Sequence, residues 1–273
     1  MCGVDVFNAR NEDGRPCYLA FYYYRICGNG LYPGDLTFGD RIVVDTLVCD
    51  SGRLSVFTAH RIRRDDGSPD TPFDPVELHG SPRPGCLYVE NLNVWLTRSE
   101  ESSNVGLIRA APVGFDQRAL APLTEAYSPR ALCARARDGG AFPDPAPGPW
   151  LPVSAGHTRE QEVDAVHDVN GVGLLYFASF FSLAESAVLR QWRERGLDAR
   201  SYLDLCLLDA RICYLGNADV DTTLAVSATV RRSAARARHE RCDVSVRDQA
   251  TGRTIAVAAF EHLLPLPQQR PRP

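Results

Sequence analysis

Two short runs carry side chains that could act on an activated acyl carbonyl. The first is Tyr22-Tyr23-Tyr24-Arg25. A phenol ionises only near pH ~10, so it needs activation before it attacks an acyl carbon. In a strand, Tyr22 and Tyr24 share one face and Tyr23 takes the other. Arg25 could lower the pKa of a neighbour if the strand bends; otherwise it points away from Tyr24. Aromatic strands also build cores and interfaces, and that reading stands beside the catalytic one. The second run is residues 168–181, DVNGVGLLYFASFF. Gly171 and Gly173 let the backbone turn tightly into a helix. The helix start then offers unpaired N–H groups and partial positive charge to a carbonyl or carboxylate. Asn170, Tyr176 and Ser179 lie where they could bind the same group. A plain strand-to-helix turn explains the glycines equally well.

Other polar residues carry less. His60 and His167 read as structural histidines, and Glu185 does not have the spacing from His167 of a His–carboxylate pair. Arg231, Arg232, Arg236, Arg238 and Arg241 form a basic stretch. It reads either as a solvated sheet edge that discourages pairing or as a docking face for nucleotide phosphates or an acidic partner.

The composition narrows the classes. The chain has 273 residues, 44% of them apolar, enough for one large domain or two of about 130 residues. Its net charge is −4, so no basic excess points to nucleic acid or a membrane surface. All 30 basic residues are arginine, which excludes lysine Schiff-base chemistry. The nine cysteines are odd in number, irregularly spaced and without a CxxC pair, which argues against a disulfide framework or a zinc site. No metal or cofactor is expected. Residues 1–17 are polar and no apolar run approaches a membrane span, so a cytoplasmic protein without a signal peptide is expected.

Strands are predicted over 18–26, 41–49, 54–62 and 86–97, with hairpin turns at Asp50-Ser51-Gly52-Arg53 and Asp65-Asp66-Gly67. Residues 110–155, rich in proline and alanine, read as a surface connector with at most short helices. Beyond it come a strand over 158–169 and a helix from about Leu175 to Arg195. In that helix Phe177, Phe181, Ala184, Val188 and Trp192 make one apolar stripe, and Gly196 terminates it. Further strands follow at 207–216, continuing through 222–231, at 236–247 and at 253–264. A strand, a long helix and several antiparallel strands is the hot-dog order, in which a curved sheet wraps one helix. Gly39-Asp40 and Asn217-Ala218-Asp219 each precede a hairpin, a faint internal repeat. The expected fold is therefore α+β, a tandem (double) hot-dog: residues 1–109 the N-terminal unit, 110–155 the connector, 156–273 the C-terminal unit. The first unit lacks its helix, which suggests a start truncated ahead of residue 1.

Two resemblances sharpen this. Asn170 and Tyr176 sit where acyl-CoA thioesterases of the hydroxybenzoyl-CoA family carry an aspartate and, six residues on, a tyrosine. An amide cannot serve as that base or nucleophile, but it can donate a hydrogen bond to a carboxylate or enolate. The runs Tyr18–Arg25, Thr37–Arg41 and Asn170–Ser179 resemble the LnmK-like double hot-dog acyltransferase/decarboxylases of polyketide biosynthesis. That resemblance implies loading of methylmalonyl from coenzyme A onto a tyrosine, loss of carbon dioxide, and delivery of propionyl to an acyl carrier protein. It places the nucleophile within Tyr22, Tyr23 and Tyr24 without choosing among them. It also implies Asn170 as a catalytic group, with Gly171, Gly173, Tyr176, Ser179 and Arg25 around the substrate. Acyl-CoA and a carrier protein are the implied partners, with a homodimer an open option. A thioesterase or dehydratase, which would need a carboxylate or histidine near Asn170, and a non-catalytic thioester-binding protein remain alternatives.

Overall fold

A computed structural model describes residues 2–69, 71–144 and 148–265. The prolines at 145 and 147 and the last residues of the C-terminal unit lie outside the described residues. The elements in order are β1 (Tyr18–Asn29), β2 (Ile42–Asp50), β3 (Ser55–Arg64), α1 (Pro75–Gly80), β4 (Cys86–Arg98), β5 (Leu107–Arg109), β6 (Ala121–Pro122) and α2 (Arg130–Gly139). They continue with β7 (Trp150–Pro152), β8 (His157–Glu162), α3 (Phe177–Glu194), β9 (Cys206–Tyr214), β10 (Thr223–Ser233), β11 (His239–Asp248) and β12 (Thr254–Leu263).

All strands join one 12-stranded sheet of order β6-β2-β3-β4-β1-β9-β12-β11-β10-β7, with β5 on β4 and β8 on β10. The pairings are antiparallel except the two-residue contact of β2 with β6. Two units, β1–β4 and β8–β12, meet where β1 pairs with β9, from Tyr23 opposite Cys213 to Cys27 opposite Asp209. This is a tandem hot-dog arrangement joined into a continuous sheet.

Alternation along each strand assigns the two faces. On one face α3 buries Leu183, Ala184, Ala187 and Val188 against Ala210, Ile212, Val244, Ala258 and Phe260. On the opposite face Cys213, Val257, Tyr23, Phe57 and Leu92 pack against Cys133 and Ala136 of α2 and against Phe142. The connector therefore does more than cross the surface: its small residues complete a core. Among the described residues no helix of α3's length covers β2–β4. On the α3 side of β2, Ile42 and Val44 stay 46% and 49% exposed.

Three local readings change. The strand expected over 158–169 ends at Glu162 because Asp164 captures the backbone: its Oδ1 accepts from the N–H groups of Val166 and His167. Strands β9 and β10 do not continue one another. The chain breaks at Asn217–Asp221, where Asp221 has a positive φ of 64°, and β10 pairs with β11 while β9 pairs with β1 and β12. Apart from the exposed Arg236, the arginine stretch is held in ion pairs and hydrogen bonds within the fold. Arg231 binds Asp243 and Asp144, Arg232 binds Glu240, Arg238 caps the Leu264 carbonyl, and Arg241, fully buried, holds Asp243 and the carbonyls of Phe142 and Pro143.

Candidate active site

The register between β1 and β4 slips between Phe21 and Tyr23, leaving Tyr22 as the extra residue of a β-bulge. A bulge re-aims side chains and ends regular pairing. Upstream of Tyr23, β1 no longer pairs with β9. A cavity of about 630 Å³ occupies this fork. Tyr18, Phe21 and Tyr22 of β1, Arg109 of β5, and Tyr214–Asn217 form one side; Asn170, Val172, Leu174 and the α3 start at Tyr176 and Phe177 form another.

The slip separates the three tyrosines. Tyr22 lies half-buried in the cavity with the Arg109 guanidinium 5.6 Å from its ring centroid. Tyr23, 1% exposed, turns into the second core, its hydroxyl 3.5 Å from Glu90. Tyr24 packs edge-on against Phe181 under α3. Burial raises all three phenols above their ordinary pKa; at Tyr22, Cys213 and Cys133 add to this while Arg109 and Arg137 pull the other way. Arg25 does not reach the cavity: it is locked in ion pairs with Asp209 at 2.6 Å and Glu90 at 3.4 Å.

On the C-terminal unit the loop before α3 is built around Asn170. Its Oδ1 accepts from the N–H groups of Val172 (3.1 Å) and Leu174 (3.0 Å), and its own N–H donates to the Leu174 carbonyl (2.9 Å). The oxygen is thus engaged within the turn, Asn170 lines the cavity, and no hydrogen bond of its Nδ2 is found among the described residues. Gly173 is called for by its φ of +77°, and a Cβ there would also sit tightly, 3.3 Å from Arg98 Nη2. Gly171 shapes the same turn without lining the cavity. Tyr176 caps α3 and is 40% exposed at the cavity. Ser179 is turned away, its hydroxyl donating to the Asp168 carbonyl at 3.3 Å. Thus Tyr22, Asn170 and Tyr176 come together, while Tyr23, Tyr24, Arg25 and Ser179 stand apart from the cavity.

Two further residues matter that sequence reasoning missed. Arg253 lines the cavity, donates Nη2 to the Asn217 carbonyl at 2.7 Å, and has a buried Nε without a partner. Neither Arg253 nor Arg109 has a carboxylate partner among the described residues, and no Asp, Glu or His lines the cavity. Both arginines reach the site only through tertiary pairing, from the strand edge of β5 and from the β11–β12 turn, so no local spacing marks them.

The model of the LnmK N-terminal Hot Dog Fold domain matches residues 1–145. No curated protein matches by sequence. Among solved structures, the 12:0-ACP thioesterase from Umbellularia californica is similar over 93% of this chain and 75% of its own, at 14% identity and a TM-score of 0.55. An acyl-ACP thioesterase from Bacteroides thetaiotaomicron is similar over 96% and 82%, at 9% identity and a TM-score of 0.48. A 1,4-dihydroxy-2-naphthoyl-CoA thioesterase from Synechocystis is similar over 44% of this chain and 89% of its own, at 23% identity and a TM-score of 0.37. The Umbellularia likeness speaks for fold alone, whereas the domain match covers more than half of the sequence: the chain belongs to the LnmK N-terminal Hot Dog Fold domain family.

Proposed function

We propose that the protein is an acyltransferase that also decarboxylates, taking a malonyl-type acyl group from coenzyme A and passing the decarboxylated acyl group to an acyl carrier protein. The observation that carries this reading is the charge of the cavity: among the described residues it holds two arginines without acid partners, a phenol and an amide, and no carboxylate or histidine. A negatively charged acyl group is drawn into such a space, whereas an uncharged one leaves both guanidiniums without a counter-charge. Hydrolysis or dehydration calls for a base to take a proton from water or substrate, and the described lining offers none.

In this reading Tyr22 Oη attacks the thioester carbonyl carbon, the C–S bond breaks, and the coenzyme A thiol leaves with the phenolic proton. The bond from the α-carbon to the carboxylate then breaks, releasing carbon dioxide and placing its electron pair in an enolate. Asn170 Nδ2 donates to the enolate oxygen, stabilising charge that exists only after the bond begins to break. A proton from solvent completes the acyl-tyrosine. The carrier thiol attacks this ester, and Tyr22 regains its proton. Burial raises the Tyr22 pKa and so favours the protonated phenol, and the Arg109 guanidinium beside it is the charge that works toward ionisation.

The test is incubation with methylmalonyl-CoA and an acyl carrier protein, read by intact mass of the carrier. A decarboxylated acyl-carrier product is expected, and propionyl-CoA is expected to be the poorer donor. Free coenzyme A released with no mass change on the carrier would favour hydrolysis.

A further inference from the structure

We infer that Asn104, on the first unit, is the positioning residue that fixes the Asn170 loop of the second unit, so that the site is set from across the seam. Asn104 is 5% exposed and follows β4. Its Nδ2 donates to the carbonyls of Gly173 at 2.7 Å and Ala218 at 3.2 Å, and its Oδ1 accepts from Arg98 Nε at 3.0 Å. Its backbone N–H donates to Asp219 Oδ1 at 2.6 Å, and Ser103 donates to Asp219 Oδ2 at 3.0 Å. Arg98 extends the grip, with Nη2 on the Val172 carbonyl at 2.7 Å and Nη1 on the Tyr18 hydroxyl at 2.9 Å.

The direction of these bonds is what makes the inference. The Asn170 turn spends its N–H groups internally, which leaves the carbonyls of residues 172 and 173 facing outward. Each of these two carbonyls takes a donor from the first unit, Arg98 on residue 172 and the buried Asn104 amide on residue 173, and these bonds decide where the loop rests. The same Asn104 amide holds the 217–219 corner. There Asn217 Oδ1 accepts from the Leu175 N–H at 2.9 Å, and the Asn217 carbonyl accepts from Arg253. One side chain of the first unit thus holds the loop that carries the amide donor, and the 217–219 corner beside it, in place relative to Tyr22. An amide is suited to this: two donors and one acceptor are needed at one point, and Asp, Ser or Leu cannot supply them.

This inference rests on the decarboxylating reading, and the experiment separates the two. The full chain is mixed with methylmalonyl-CoA, and two steps are followed apart: acyl loading of Tyr22 by intact mass, and release of labelled carbon dioxide. Wild-type protein showing neither step defeats the reading itself. With wild type active, Asn104→Ala is expected to slow carbon dioxide release about 10- to 100-fold while loading of Tyr22 changes by less than about threefold, in line with the cost of small misplacements in active sites. The double variant with Asn170→Ala is expected to be no slower than Asn170→Ala alone, because both changes remove one function. Should Asn104→Ala fail to fold, Asn104→Ser, which keeps one donor, is expected to give an intermediate loss in the same step. Equal losses in both steps, or losses that multiply with Asn170→Ala, would assign Asn104 a merely structural role and overturn the inference.

Discussion

Tyr22 owes its place to one inserted residue. Without the slip between Phe21 and Tyr23, alternation would put Tyr22 on the α3 face with Tyr24. Instead it is the one of the three tyrosines that lines the cavity, and the Arg109 guanidinium beside it is the nearest influence favouring its ionised form. Because burial holds its pKa above the ordinary phenol value, the ionised fraction grows with pH throughout the neutral and alkaline range. Acyl loading should therefore rise with pH from about 7 to 10 without levelling off. Replacing Arg109 by Gln removes a charge that lowers the pKa, so the rise should move to higher pH, with loading slower by about threefold at a fixed mildly alkaline pH, the scale of a screened charge at this distance. A pH–rate profile of single-turnover loading checks both. A profile that levels off below pH 7, or one unchanged in Arg109→Gln, contradicts this account of Tyr22. The sequence made the three tyrosines visible as candidates, but a bulge is a property of two strands together. Alternation therefore paired Tyr22 with Tyr24, and the choice among the three stayed open. The Asn170 run was legible because its glycines and amide lie within one turn of chain.

At the scale of elements, periodicity was a good guide wherever one face meets one core. The α3 stripe and the strands β1–β4 and β11–β12 lie within a few residues of their predicted bounds. The connector was harder to read because its contribution comes from small and isolated residues: Cys133, Ala136 and Phe142 fill a core without any repeated pattern. The arginine stretch misled for a related reason. A charged residue in a strand reads as solvent-facing, yet Arg241 points into the seam between sheet and connector, where Asp243 and two backbone carbonyls satisfy it. Arg241→Ala leaves Asp243 buried with less compensation and frees the 142–144 segment from the sheet. The expected loss is about 3–5 kcal/mol in urea unfolding, the usual result of removing one member of a buried ion pair. A loss below about 1 kcal/mol would mean that the connector is not held by this residue.

Across the whole molecule, the two units share a sheet, and the loop network through Asn104 ties them on the cavity side. A seam of five residue pairs between β1 and β9, plus buried hydrogen bonds, should couple their unfolding. Trp95 reports on the first unit and Trp192 on the second, and both are buried. Single-tryptophan variants should unfold in urea with coincident midpoints; separate transitions would show that the units are stable independently and that the cavity between them can open without global unfolding. The tandem organisation was readable in the order of elements, but the cavity was not, because its lining is drawn from both units and from residues nearly 250 positions apart, Val6 to Arg253.

The central claim is that an acyl group passes through an ester on Tyr22. Rapid quenching of the full chain after mixing with methylmalonyl-CoA, followed by peptide mass mapping, tests it most directly. The account predicts a decarboxylated acyl adduct on the peptide containing Tyr22, absent in Tyr22→Phe and retained in Tyr24→Phe. Turnover of the thioester with no adduct, or an adduct on another residue such as Cys17, would contradict it.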